Sequence, residues 1–256
     1  GNSKKIKFDP NNFKKFKDKI IHIVVEKDPV EQTYQNTSDV EIKRLNSVKR
    51  IEFQRNEILK GLNLANDEDY IIYSDNDEIP NLENINFSQN RSKLVIFRQN
   101  LYYYKFNLAY PKLDWYGSKA CKKKNLKNIS WLRNIKPKKY NLLRLDTLFS
   151  NSKFIDLKIV RNGGWHFTNL KTPEQLLNKY LNDEMHSEFE IKKIDIEDIQ
   201  KKINEKYINY NHFTKSDSSI DKKYDNKFSL EKVSLDNLPN YIKTNKDKYN
   251  EWFDFD

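Results

Sequence analysis

The chain has 256 residues, enough for one large α/β domain or two small ones. Its single cysteine excludes an intrachain disulfide, and no apolar stretch approaches the roughly 20 residues needed to span a bilayer. A net charge of +10 points to an anionic partner, either nucleic acid, a membrane surface or a phosphate-bearing substrate. The Lys, Asn and Ile bias is that of an AT-rich genome, which raises Lys without a polyanion, so no nucleic acid is expected. No hydrophobic signal region follows the N-terminus, which favours a soluble, cytoplasmic chain.

Residues 20–25 form the first predicted strand, closed by Asp28 and Pro29. From 42 to 62 apolar residues recur at helical spacing and Gly61 marks the end. A strand over 69–73 follows, and the three pieces predict a parallel pair joined by a crossover helix. Residues 93–97 and 101–106 are aromatic-rich strand candidates, whereas 110–140 reads as irregular. Residues 154–160 predict another strand, and Gly163-Gly164 breaks the chain before Trp165-His166-Phe167. Thr172, Pro173 and Gln175 carry the signature of a helix start with a capping box. A second helix is predicted over 195–206, a mobile polar loop over 211–226, and a last helix from Leu238-Pro239-Asn240 through Trp252. No repeat or linker divides the chain, which reads as one α/β domain over 1–256.

The most informative run is Tyr70-Ile71-Ile72-Tyr73-Ser74-Asp75-Asn76-Asp77-Glu78-Ile79-Pro80. A β-branched and aromatic stretch ends in an acid-x-acid step, predicting a buried strand with two carboxylates at its carboxyl end. Open α/β sheets place ligands there. Carboxylates so spaced suit a hard divalent cation shared with substrate phosphates. The competing reading is a turn in which both side chains bond local amides.

Three further segments could carry chemistry. His166, after Arg161 and the paired glycines, is a metal ligand or base, or else a core histidine on a strand. Glu184, His186 and Glu188 are candidate general bases, or a solvated helix end. The aromatics from Tyr102 to Tyr116 suit stacking on a sugar or base, or simple packing in a sheet.

Together these segments resemble glycosyltransferase family 17, the family of the β-1,4-mannosyl-glycoprotein 4-β-N-acetylglucosaminyltransferase. The matching pieces are Phe16-Lys17-Asp18-Lys19-Ile20-Ile21-His22, Gln54-Arg55-Asn56 with Gly61-Leu62, and the Ser74 to Pro80 motif. Trp115-Tyr116-Gly117, Gly164-Trp165-His166-Phe167, residues 179–188 and Leu238-Pro239-Asn240-Tyr241-Ile242 follow in order.

The resemblance implies a GT-A fold, with a mostly parallel central sheet flanked by helices. It also implies inverting transfer of GlcNAc from UDP-GlcNAc to a glycan acceptor, with Mn2+ or Mg2+ on the donor diphosphate. On that mapping Asp77, Asp75 and His166 hold the metal, with Asp75 close to the ribose. Arg55, Asn56, Asp75, Arg161 and Trp165 contact the nucleotide sugar, and Glu184, Glu188 and Asp114 compete as the base. Family members begin with a further strand and helix ahead of the glycine matching Gly1. Either part of the donor site is therefore missing, or residues 20–25 supply its uridine side.

Overall fold

The computed structural model describes residues 8–31, 39–138, 140, 145–147, 150–154, 156–182, 186–215 and 218–255. Within these, the side chains of residues 40, 145, 187, 190 and 191 are not described. The strands are β1 (Tyr70–Tyr73), β2 (Glu78–Pro80), β3 (Leu94–Phe97), β4 (Gln99–Tyr103), β5 (Leu108–Trp115) and β6 (Lys119–Lys122). They continue with β7 (Leu157–Val160), β8 (Gly164–Thr168), β9 (Tyr207–Ile208), β10 (Phe228–Ser229) and β11 (Glu231–Lys232). The helices are α1 (Val40–Glu57), α2 (Ile129–Asn134), α3 (Pro173–Tyr180), α4 (His186–Lys192), α5 (Ile196–Asn204), α6 (Ile220–Tyr224) and α7 (Asn240–Thr244).

The fold is mixed α/β with two main sheets, ordered β1-β6-β3-β7 and β11-β5-β4-β8-β2. Among the described residues only the β3–β7 and β4–β8 ladders are parallel, so the expectation of a mostly parallel central sheet is corrected. The same two chain segments form both of these ladders. They run side by side through the first sheet, kink at Arg98 and at 161–163, and continue side by side into the second. The kink is stitched by Gly163 N–H to Arg98 O at 2.7 Å and by Arg98 N–H to Val160 O at 3.1 Å.

Each sheet buries apolar residues on both faces. Val95, Phe97 and Ala120 are fully buried on one face of the first sheet, and Leu94, Ile96 and Cys121 pack with Ile129 and Leu132 of α2 on the other. Burial pushes the Cys121 thiol up to about 12, which fits a structural role. In the second sheet Leu101, Tyr103 and Leu108 pack against Leu176 of α3 and Ile199 of α5. The opposite face, with Tyr102 and Phe167, is covered by Leu238, Ile242 and Phe253 near the C-terminus. A fully buried Leu or Phe contributes about 2 kcal/mol relative to leaving it in water, so these layers dominate stability.

Several sequence expectations need correction. Residues 20–25 are extended but belong to neither sheet. They lie over Gly61, and the segment is pinned to α1 by Arg50, whose guanidinium donates twice to Asp28. Ile20, Ile23 and Val25 are partly covered while Ile21 and Val24 stay exposed, and periodicity alone cannot separate such a segment from a ladder strand. The expected crossover therefore does not form. β1 pairs antiparallel with β6 at the sheet edge and is half-buried rather than buried. The stretch 110–140 holds most of β5, all of β6 and α2. Pro111 disguised β5, and it falls in the bulged stretch between the Ala109 and Asp114 pairings with β4, where a strand tolerates a missing N–H. The expected loop over 211–226 contains α6 and the half-buried His212. The helix from Asn240 breaks into α7 and a 3-10 segment, Lys246–Trp252. The capping box at Thr172 and Gln175 is formed. Among the described residues no helix is long and apolar enough to cross a membrane.

Candidate active site at the junction of the sheets

Four segments cross from one sheet to the other, and the candidate site lies where they meet. β1 leads into β2 through the acid-x-acid motif, β5 into β6 through 116–118, β3 into β4 through Arg98, and β7 into β8 through 161–163. The seam is closed by polar bonds. Ser74 and Ser118 hydroxyls meet at 2.7 Å, and the Gln99 amide donates to Ser118 Oγ at 3.0 Å. Gly164 has φ +131 at the turn into β8, where a Cβ would fall 2.0 Å from Ile79 O.

Glu78 is the hub of this seam, with its side chain fully buried. Trp115 Nε1 donates to its Oε1 at 2.7 Å, and the Asp75 N–H and Ser118 Oγ donate to Oε2 at 3.2 and 3.4 Å. Arg133 from α2 stands 3.7 Å from Oε1 and lies over the Trp115 ring. Burial alone would raise the Glu78 carboxyl, but His166, Trp115 and Arg133 more than offset it and hold it below the ordinary range.

His166 pairs in register with Glu78 across β8 and β2, so both side chains emerge on one face. Its ring lies 4.5 Å from that of Trp115. Nε2 stands 3.8 Å from Asp77 Oδ2, and the buried Nδ1 has no hydrogen-bond partner among the described residues, with Glu78 Oε1 nearby at 3.7 Å.

This donor set fits a divalent cation. Asp77 and His166 would be the side chains to hold it, and a carboxylate with an imidazole would suit a manganese-like ion better than Mg2+, which prefers oxygen ligands alone. Among the described residues no group of three His, Cys, Asp or Glu converges, so the remaining positions would fall to water and phosphate oxygens. Glu78 Oε1, 3.7 Å away, is the carboxylate nearest Nδ1, and accepting a hydrogen bond from Nδ1–H on closer approach would fix the tautomer.

The other expected site residues divide. Asp75 does not stand open beside Asp77. Its carboxylate accepts from the Tyr73 hydroxyl, from Arg133 Nε at 3.2 Å and from Arg55 Nη2 at 3.3 Å. Burial would raise it, yet Tyr73, Arg133 and Arg55 together hold it below the usual carboxylate range. Arg55 also donates to the Tyr73 hydroxyl at 2.8 Å, so it fastens α1 to β1. Asn56 Oδ1 caps the Ser130 N–H of α2 at 3.0 Å. Arg161 lies in an exposed turn. Trp165 points to the face opposite His166 and donates to Asn237 O at 2.5 Å.

Among the candidate bases, Asp114 also lies opposite Trp115 along β5 and is bound to Arg98 at 2.7 Å. Glu188 accepts from Lys223 at 2.6 Å and from the Tyr224 hydroxyl at 2.9 Å. Glu184 lies outside the described residues.

Arg133 and Lys119 were missed by sequence reasoning because their stretch read as loop. Lys119 caps α2 by donating to the Arg133 and Ile135 carbonyls. Glu78 had a signal, its place beside the motif, but nothing local marked it as buried.

Two cavities open near this junction, and Asp77 lines one of them. One, of about 340 Å³, is lined by Asp77, Asn169, Lys171 and Lys179. The other, about 430 Å³, lies on the face of the second sheet covered by α3 to α6; it shares Asn169 and Lys179 and is walled by Tyr103, Trp115, Tyr180 and Tyr210. Both are of ligand-binding size. No protein-family model, curated protein or solved structure matches the chain.

Proposed function

We propose that the chain is a metal-dependent inverting glycosyltransferase that transfers GlcNAc from UDP-GlcNAc to a glycan acceptor. The observation that carries this reading is the pairing of Asp77 with His166, 89 positions apart in sequence, at the edge of the 340 Å³ cavity that Asp77 lines. These two side chains would hold Mn2+ or Mg2+, and a bound cation would offset charge growing on the departing diphosphate. Glu78 would orient the His166 ring by accepting from Nδ1–H, Trp115 shields its face from water, and Lys171 faces the cleft where phosphate oxygens would lie. The sugar assignment comes from the family resemblance. Glu184 stands as the candidate base, since Glu188 and Asp114 are committed to ion pairs.

The test is thermal unfolding with Mn2+ and UDP. Binding raises Tm by mass action, and Asp77→Ala abolishes the shift. No shift at millimolar concentrations would overturn the donor assignment.

A catalytically inactive glycan-binding module of the same fold is the competing reading. It draws on Asp75, which Arg55 and Arg133 occupy, leaving one carboxylate of the motif open to a cation. That reading expects glycan binding indifferent to Mn2+ and UDP.

A further inference from the structure

The 430 Å³ cavity has a chemistry of its own. Its walls are aromatic, which suits the C–H face of a sugar ring. Its described lining residues include two lysines, Lys179 and Lys202, and no Asp or Glu. Lys179 donates to Asn169 Oδ1 at 2.8 Å where the two cavities meet. Lys202 forms no ion pair among the described residues. Burial holds its amine below the ordinary value, the Asp198 charge on its own helix works the other way, and Lys192 adds to the lowering. Glu188, beside the lining residue Phe189, is already bound by Lys223 and Tyr224.

Two polar groups sharpen the picture. Asn209 lines the cavity, and its buried Oδ1 accepts no hydrogen bond among the described residues, so the wall presents an acceptor that lacks a donor there. His212 Nε2 is 2.6 Å from the Tyr103 hydroxyl, and burial favours the neutral ring. The positive charge of the lining therefore rests on the two lysines. A desolvated ammonium in an aromatic cavity, with no ion pair among the described residues, favours an anion, and a carbonyl oxygen without a donor favours a hydroxyl.

We propose that this cavity binds a sugar ring carrying an anionic group, a carboxylate or a phosphate, with the anion against Lys202 and a ring hydroxyl donating to Asn209 Oδ1. Calling that sugar the acceptor rests on the glycosyltransferase reading; its binding does not. An acidic acceptor would also place its ring beside Trp115 and, through it, beside His166.

The experiment is calorimetric titration of the full chain, without nucleotide or metal, with methyl β-D-glucuronide, glucose 6-phosphate and methyl β-D-glucoside. At least one anionic sugar is expected to bind tenfold or more tightly than the glucoside, and which one does so separates carboxylate from phosphate. Lys202→Met should bring the preferred anion to the glucoside's level, while Lys202→Arg should keep it within a few-fold. If Lys202→Met does not fold, Lys179→Met should weaken the same preference. Equal binding of all three sugars, no binding of any, or a preference untouched by removing either lysine overturns the proposal. Sugar binding without a thermal shift from UDP and Mn2+ keeps the cavity and removes its role as acceptor site. A UDP shift without sugar binding does the reverse.

Discussion

Gly117 faces the Glu78 carboxylate so closely that a Cβ on Gly117 would sit 1.7 Å from Oε1. Glu78 cannot swing aside, because Trp115 Nε1 holds Oε1 and the Asp75 N–H holds Oε2. The missing side chain at 117 is thus what lets a buried carboxylate reach the seam between the sheets.

Gly117→Ala should cost about 1–3 kcal/mol in urea unfolding, the usual range for overpacking. A double-mutant cycle with Glu78→Ala should return a coupling of about 1 kcal/mol or more, because removing the carboxylate removes the clash. Strictly additive costs would mean the glycine serves some other purpose.

The two carboxylates of the acid-x-acid motif should separate in stability measurements. Asp75 is held by two arginines with less than a third of each side chain exposed, so Asp75→Asn should destabilise by about 1–3 kcal/mol. Asp77 is one-third exposed and stands 3.8 Å from His166, so Asp77→Asn should stay within about 0.5 kcal/mol of the parent. Chemical denaturation of the two variants checks this, and equal losses would contradict the division of labour.

Part of this arrangement was legible in the sequence. The strand before Asp75, the break at Gly163-Gly164 and the helix start at Thr172 were marked by local signals, and all three lie where expected. The pairing of strands was not legible. β1 finds β6 about fifty residues later, and no local pattern names that partner. Asp75 and Asp77 look equivalent in sequence, yet Arg133 arrives from a helix hidden among lysines and claims one of them. Likewise Glu188 read as a solvated candidate base until Lys223 and Tyr224, from a stretch that resembled a loop, closed on it.

Acid should destabilise the fold through His212. Burial, aided by the His166 charge, pushes His212 down to about 4 from an ordinary 6.5. Between those values the unfolded chain binds the extra proton, so stability rises with pH across pH 4–6.5 and is lost as pH falls through it. The loss amounts to up to about 3 kcal/mol, at roughly 1.4 kcal/mol per pKa unit. His212→Gln should flatten this part of the stability profile, as read from urea midpoints at pH 4.5, 5.5 and 7. An unchanged slope in the variant would place the acid sensitivity elsewhere.

Glu188 offers the last separation, between a catalytic and a bracing carboxylate. It joins α4 to α6 through an ion pair whose Lys223 and Glu188 side chains are 5% and 13% exposed, so solvent screens it weakly. Removing one partner leaves the other charge buried and unpaired. Glu188→Gln should therefore cost about 3 kcal/mol or more, and Lys223→Met should cost a similar amount. Combining Glu188→Gln with Lys223→Met should cost less than the sum, because no lone charge remains. A general base behaves otherwise: Glu188→Gln would leave the unfolding midpoint nearly unchanged while abolishing sugar transfer. Measuring both quantities on the same variant decides between the roles. A stable, inactive Glu188→Gln protein would restore Glu188 as the base and remove the bracing role assigned to it here.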